Sequence, residues 1–411
     1  MLTKSGVRKR VAINVPGEPV NARSPHLAQV GDFVFSSGIY GRGLPDGTTG
    51  VYVPGLVGGN VVTDPVEQMT AAFATMRKYM EAGGVGPDNI ALVNVHVRNE
   101  GLKELAYREL AKLFPGDKGP AGHVIVPPSF LDPNTHVAVD FIARKGVKRE
   151  SFIVDGEPRY GNFSHAARIG DVVYLSGLNG RDIVGKPKGE QNPAEQMVIC
   201  HERVRRYLEA AGATPDEVGF LRNYVRYRNN REIMNPEFKK VFGSKMRASA
   251  PARSTHVQPN LPYTYELEIC NVTAVRGATQ EGAYVTSGDT AWVRPHAEPI
   301  SDTAKRGNML FSSRVAGREQ ADGTNEERIE VQIAKSFDSL RSHVESAGGA
   351  LDTIGRVDVW VDSLAARFLH DREWDKMFGS VENAPAVHIH HQSEGLVPGW
   401  HHRMEFTAFL A

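Results

Sequence analysis

Three stretches of this 411-residue chain are versions of one another, and any fold it adopts has to accommodate that repetition. Gly31-Asp32-Phe33-Val34-Phe35-Ser36-Ser37-Gly38 returns as Gly170-Asp171-Val172-Val173-Tyr174-Leu175-Ser176-Gly177, and again as Gly307-Asn308-Met309-Leu310-Phe311-Ser312-Ser313-Arg314. The opening glycines stand 139 and 137 positions apart, so each unit is domain-sized and far longer than a solenoid repeat. Later landmarks keep the same order. Asp64-Pro65-Val66-Glu67-Gln68-Met69 matches Asn192-Pro193-Ala194-Glu195-Gln196-Met197 and, more weakly, Arg328–Ile333. A Pro-Ala pair follows in each copy, at Pro120, Pro251 and Pro385. The expected organisation is three fused domains, over residues 1–146, 147–279 and 280–411, the last rich in histidine. A single core rarely grows past about 250–300 residues, so a division of this kind also suits the length.

Each unit reads as α+β. Phe33-Val34-Phe35 and its counterparts are strands ended by Ser-Gly or Ser-Arg. Helical spacing follows at Met69, Phe73, Met76 and Met80, at Met197, Val204 and Leu208, and at Ile333, Phe337, Leu340 and Val344. Strands are expected at Leu92–Val97, Phe220–Tyr227 and Arg356–Val361, and shorter helices at Tyr107–Phe114, Pro236–Phe242 and Arg372–Phe378. Two last strands joined by a Pro-rich turn complete the unit. The pattern is a sheet covered on one face by two helices.

Composition narrows the function classes. Lys plus Arg and Asp plus Glu each number 48, and no basic run exceeds Arg8-Lys9-Arg10, so neither nucleic acid nor an anionic membrane is an expected partner. Cys200 and Cys270 are the only cysteines and supply neither a disulfide framework nor metal-ligand spacing. No leader and no apolar stretch of about 20 residues stands out. A cytoplasmic protein is the expectation. No Gly-rich phosphate loop precedes a helix, so no organic cofactor is called for.

The Gly-Asp-hydrophobic-Ser-Gly strand, the Glu-Gln helix closing on Glu209-Ala210-Ala211-Gly212, Pro251-Ala252-Arg253-Ser254 and Glu266-Leu267-Glu268 resemble the Rid/YjgF family of reactive-intermediate deaminases. That resemblance implies a chorismate-mutase-like fold and a homotrimer with a ligand cleft at each subunit interface. Three fused copies would then form an intramolecular pseudo-trimer, with further homo-oligomerisation left open. It also implies that the Arg after Pro-Ala clamps a substrate carboxylate: Arg253 here, replaced by Gly122 and Val387 in the other copies. The family's acid/base Glu corresponds to Glu268, with Asp140 and Glu405 taken as its counterparts. Asn235 and the Ser176-Gly177 backbone would orient the ligand. Arg253 and Glu268 are expected in one cleft, a structural ion pair being the plainer alternative.

Copies one and three carry a different set. His123 and His388 follow the position of the missing Arg, and His136 and His401 stand four residues before Asp140 and Glu405. If the two last strands form a hairpin, each copy brings two imidazoles near a carboxylate, a set suited to proton transfer or a divalent metal. Ordinary hydrogen-bonded histidines are the leading reading, and no metal ligand is assigned. Arg314, in place of Gly38 and Gly177, either supplies a clamp from another direction or fills its cleft.

The expected activity is hydrolytic deamination of an enamine, imine or related C–N bond in a small nitrogenous carboxylic acid. A metabolite-binding or scaffold protein is the alternative, and an endoribonuclease a weaker one.

Overall fold

The computed structural model describes residues 9–18, 23–41, 62–127, 130, 134–180, 192–242, 250–261, 266–278, 301–317, 325–391 and 399–410, the side chains of 389–391 excepted. The first unit contains β1 (Arg10–Ile13), β2 (Leu27–Val30), β3 (Phe33–Ser36), α1 (Pro65–Ala82), β4 (Ile90–Val97), α2 (Lys103–Leu113), β5 (Ala121–Ile125) and β6 (Val137–Arg144). The second repeats the series with β7 (Arg149–Phe152), β8 (Ala166–Ile169), β9 (Val172–Leu175), β10 (Leu178–Asn179), α3 (Pro193–Ala210), β11 (Val218–Val225), α4 (Asn230–Phe242), β12 (Ala252–Val257) and β13 (Leu267–Val275). The third has β14 (Thr303–Arg306), β15 (Met309–Ser312), α5 (Ile329–Ser346), β16 (Gly349–Val361), α6 (Leu364–Phe378), β17 (Ala386–His391) and β18 (His402–Leu410).

The result is mixed α+β, with three sheets and six α-helices among the described residues. The first sheet runs β1-β2-β3-β6-β4-β5, and the other two follow the same plan. The last two strands of each unit are therefore not a hairpin. β4 lies between β5 and β6, parallel to the first and antiparallel to the second, and β11 and β16 do the same in their sheets. A Pro-rich connection does not force a hairpin when the segment before it can pair with another strand.

Local chemistry accounts for the repeated landmarks. Gly31, Gly170 and Gly307 turn the tight hairpins before β3, β9 and β15 with φ of 63°, 66° and 57°, a left-handed conformation that disfavours residues with a Cβ. Asp64 caps α1 by accepting from the Val66 and Glu67 amides, and Asn192 with Glu195 forms a capping box on α3. The repeated Gln is a brace: Gln68 accepts from the His136 amide at 2.9 Å, Gln196 from Glu266 at 3.1 Å and Gln332 from His401 at 3.4 Å. Each ties a long helix to the chain entering the final strand. The second helices start earlier than the sequence suggests, and Pro236 is carried inside α4.

Each sheet buries one face under its own helices, against Met69, Phe73 and Met76 in the first unit, Met197, Val204 and Leu208 in the second, and Ile333, Phe337 and Leu340 in the third. The opposite faces share a fourth core, with Phe35, Tyr174 and Phe311 among its members. Three seams result: β4 and β5 meet β8 and β9, β11 and β12 meet β14 and β15, and β16 and β17 meet β2 and β3. No helix among the described residues is long and apolar enough to cross a membrane.

Candidate functional site

A serine latches each seam. Ser176 Oγ accepts from the Gly122 amide at 2.9 Å, Ser313 Oγ from Arg253 at 2.8 Å and Ser37 Oγ from Val387 at 3.0 Å. The same hydroxyls donate to Ser164, Ser301 and Pro25 carbonyls within their own units. The Ser176 hydroxyl is thus committed to joining two units, while the Ser176-Gly177 backbone expected to orient a ligand lies at the lining of the cleft described below. The three latches also fix which copies face each other: position Gly122 meets the second unit, Arg253 the third and Val387 the first.

Strand register separates two residues expected together. Ile39 bridges Val139, Leu178 pairs with Ile269, and Val315 bridges Met404, so the residues that follow, Asp140, Cys270 and Glu405, are equivalent. Pairing on the other side agrees, with Asn94 opposite Asp140, Arg222 opposite Cys270 and Asp358 opposite Glu405. Glu268 lies two residues earlier and is matched by Ala138 and Arg403, so equating it with Asp140 and Glu405 is corrected. Between Phe220 and Arg222 the register of β13 also shifts by one residue, where Asn271 adopts φ 52°.

Glu268 therefore faces the seam of the first and second units, while Arg253 stands at the seam of the second and third. They do not share a cleft. Around Glu268 a cleft of about 530 Å³, its mouth included, is lined by Lys103 and Tyr107 of α2, His123 of β5, and Tyr160, Gly177 and Asn179 of the second unit. Gly177 keeps it open, since a Cβ there would lie 2.9 Å from Glu268 Oε1 and 3.0 Å from His123 Cβ. Asn179 donates to the Tyr160 hydroxyl at 2.7 Å. Burial pushes the Glu268 carboxyl up to about 7 against the pull of Lys103. Burial, with Arg222 nearby, drives the His123 imidazole down to about 3, so it is neutral. Neither His123 ring nitrogen has a hydrogen-bond partner among the described residues. Lys103 Nζ pairs with Glu100 at 3.0 Å. A half-neutral carboxyl, an uncommitted imidazole and an ammonium thus line one pocket.

At the second seam, the Arg253 guanidinium lies over the Phe238 ring at 4.4 Å, and Asn235 sits on the same helix α4. Arg314 is held over Trp400 at 3.9 Å. Arg403 occupies the position of Glu268 and donates to the Thr255 carbonyl at 3.2 Å. Glu405 is not served by a histidine of its own unit: His256 reaches it at 3.0 Å from β12, and Arg222 at 2.8 Å from β11. At the third seam, His388 Nδ1 lies 2.6 Å from Asp140 Oδ2, again across units. Burial alone would raise the Asp140 carboxyl, but Arg356 and His388 hold it well below the usual range. His136 and His401 lie ahead of their strands, and His401 pairs with Asp362 at 2.7 Å. They join neither carboxylate, which corrects the two-imidazole expectation. Arg42, Arg181 and Arg318, which follow Gly41, Gly180 and Gly317 at matching places in the three repeats, lie outside the described residues.

Sequence reasoning missed Lys103, Tyr107, Tyr160 and His256. Lys103 and Tyr107 carried a weak signal, being four apart and so on one helix face. Tyr160 carried none.

The family described as Endoribonuclease L-PSP matches residues 156–275. A RutC family protein of Saccharolobus solfataricus is 30% identical over 114 residues, covering 26% of this chain and 83% of that protein. A 2-iminobutanoate/2-iminopropanoate deaminase of Dermatophagoides farinae is 26% identical over 115 residues, 28% of this chain and 87% of the relative. Among solved structures, RidA of an Antarctic Psychrobacter is 23% identical over 31% of this chain and 98% of its own, with a TM-score of 0.28.

Proposed function

Because the chain belongs to the Rid/YjgF family, through the match to its middle unit, we propose that it is an intramolecular pseudo-trimer and a hydrolytic deaminase of small imino or enamino acids. The reaction is assigned to the seam of the first and second units. The observation that carries this reading is Glu268: a buried carboxyl titrating at about 7, in a cleft with a neutral His123 and Lys103. One relative is named as an imine deaminase, which supports the same chemistry.

The substrate carboxylate pairs with the Lys103 ammonium in competition with Glu100, taking the role the family gives to Arg. Ionised Glu268 accepts a proton from water as the water oxygen adds to the imine carbon. The C–N double bond becomes single and its electron pair goes to nitrogen, which takes that proton back from Glu268 to give a carbinolamine. Glu268 then accepts the carbinolamine hydroxyl proton as the carbonyl forms and passes it to the amine nitrogen as the C–N bond breaks. Ammonia leaves, and a carbonyl remains on the carbon. His123, neutral and facing the same space, hydrogen-bonds the substrate or the adding water. An imine carbon is already electrophilic, so positioning and proton transfer suffice.

The second seam favours a different use. Arg253 is present but Arg403 replaces the acid/base carboxyl, so this seam binds an acid without turning it over. Ammonia release from freshly generated 2-aminoacrylate and a panel of imino acids tests the assignment. Lys103→Ala raises KM, while Arg253→Ala leaves turnover within about twofold. Loss of turnover in Arg253→Ala with Lys103→Ala unaffected would place the chemistry at the second seam instead.

A further inference from the structure

The seam of the third and first units holds groups that the proposed deamination does not use. His96 on β4, Asp140 on β6 and His388 on β17 are all buried, and their ligand atoms lie within 4.8 Å of one another. The His96 and His388 rings meet edge to face with centroids 4.9 Å apart. Asp140 is fixed from behind: Oδ1 accepts from Asn94 at 2.7 Å and from Arg356, leaving Oδ2 toward His388 Nδ1 at 2.6 Å. We propose that His96, Asp140 and His388 form a binding site for one divalent cation of the zinc class.

Two imidazoles with one carboxylate favour Zn²⁺ and its neighbours, including Co²⁺, over the oxygen-seeking Mg²⁺ and Ca²⁺. Asn94 and Arg356 supply the outer contacts that orient a ligating carboxylate. The Arg356 charge opposes a nearby cation, but Asp358 neutralises it with contacts of 2.6 and 3.1 Å. The set is also particular to this seam. The equivalent strand positions carry Tyr224, Cys270 and His123 at the first seam, and Trp360, Glu405 and Ser254 at the second. Ligation through His388 Nδ1 places the metal between that nitrogen and Asp140 Oδ2 and leaves the single N–H of the neutral imidazole on Nε2. Three protein ligands leave a tetrahedral position for water.

The test is titration of the full chain, stripped with chelator, with Co²⁺. One equivalent per chain is expected, with visible d–d absorption, displaced by Zn²⁺ and not by excess Mg²⁺. His96→Gln and His388→Gln lose the signal, while His201→Gln, altering a buried histidine of α3 elsewhere, keeps it. The wild-type titration decides even where a variant fails to fold. A stripped wild-type chain that binds no Co²⁺, or full binding retained in both His96→Gln and His388→Gln, overturns the site.

Discussion

At the scale of the residue, Glu268 ties function to stability. Its folded titration at about 7 lies above the ordinary value of 4.5, so folding favours the protonated form. The linkage follows directly: the contribution is most favourable below about 4.5, is lost as pH rises toward 7, and is unfavourable above that by roughly 3 kcal/mol. Glu268→Gln is therefore expected to raise stability at pH 8 by up to about 3 kcal/mol and to change little at pH 4, as read from urea unfolding at both pH values. Equal effects at the two pH values would mean that the carboxyl is not held neutral by burial. The residue was legible in the sequence, as were Arg253 and His123. Its cleft was not, because strand pairing, blurred further by a one-residue bulge at Asn271, and not the order of landmarks sets Cys270 at the position of Asp140 and Glu405. Asn tolerates a positive φ, so it permitted the bulge without announcing it. Asn271→Val should cost about 1–2 kcal/mol, since a β-branched side chain resists that conformation.

At the scale of the element, the alternation of strands and helices was readable from periodicity, because each sheet buries one face beneath helices with regular apolar spacing. Strand neighbours were not. Nothing in a Pro-rich connection says that β4 will lie between β5 and β6, and the hairpin inferred there brought the wrong histidines to Asp140 and Glu405. The serine of the repeated motif was noticed for its recurrence, yet its function belongs to pairs of units rather than to one. Removing a latch leaves a backbone amide of the adjoining unit without its acceptor in a buried seam. Ser37→Ala, Ser176→Ala and Ser313→Ala should each cost about 1–3 kcal/mol. Chemical denaturation of the three single variants checks this. An unchanged midpoint in all three would show that the seams do not depend on the hydroxyls.

At the scale of the whole molecule, buried charges link the three units. Glu405 and Asp358 of the third unit hold Arg222 of the second, and Asp358 shares Arg356 with Asp140 of the first. Removing one partner strands the others in a low-dielectric interior, so Arg356→Met should destabilise by about 3–5 kcal/mol. The contacts that cross between units join residues 136 to 216 positions apart, a relation that no local pattern encodes. What the repeat did convey is that one chain carries three versions of a seam, free to diverge. The seams carry different groups: Glu268 at one, Arg253 at another, and His96, Asp140 and His388 at the third. The most direct measurement is the pH dependence of kcat/KM for ammonia release, in wild type and Glu268→Gln. The rate should rise through an apparent pKa near 7, as Glu268 ionises to accept the proton of water. In Glu268→Gln it should fall by roughly 10²–10⁴-fold and lose that dependence. A Glu268→Gln variant that keeps both the wild-type rate and the wild-type profile would contradict the assignment of the reaction to this cleft.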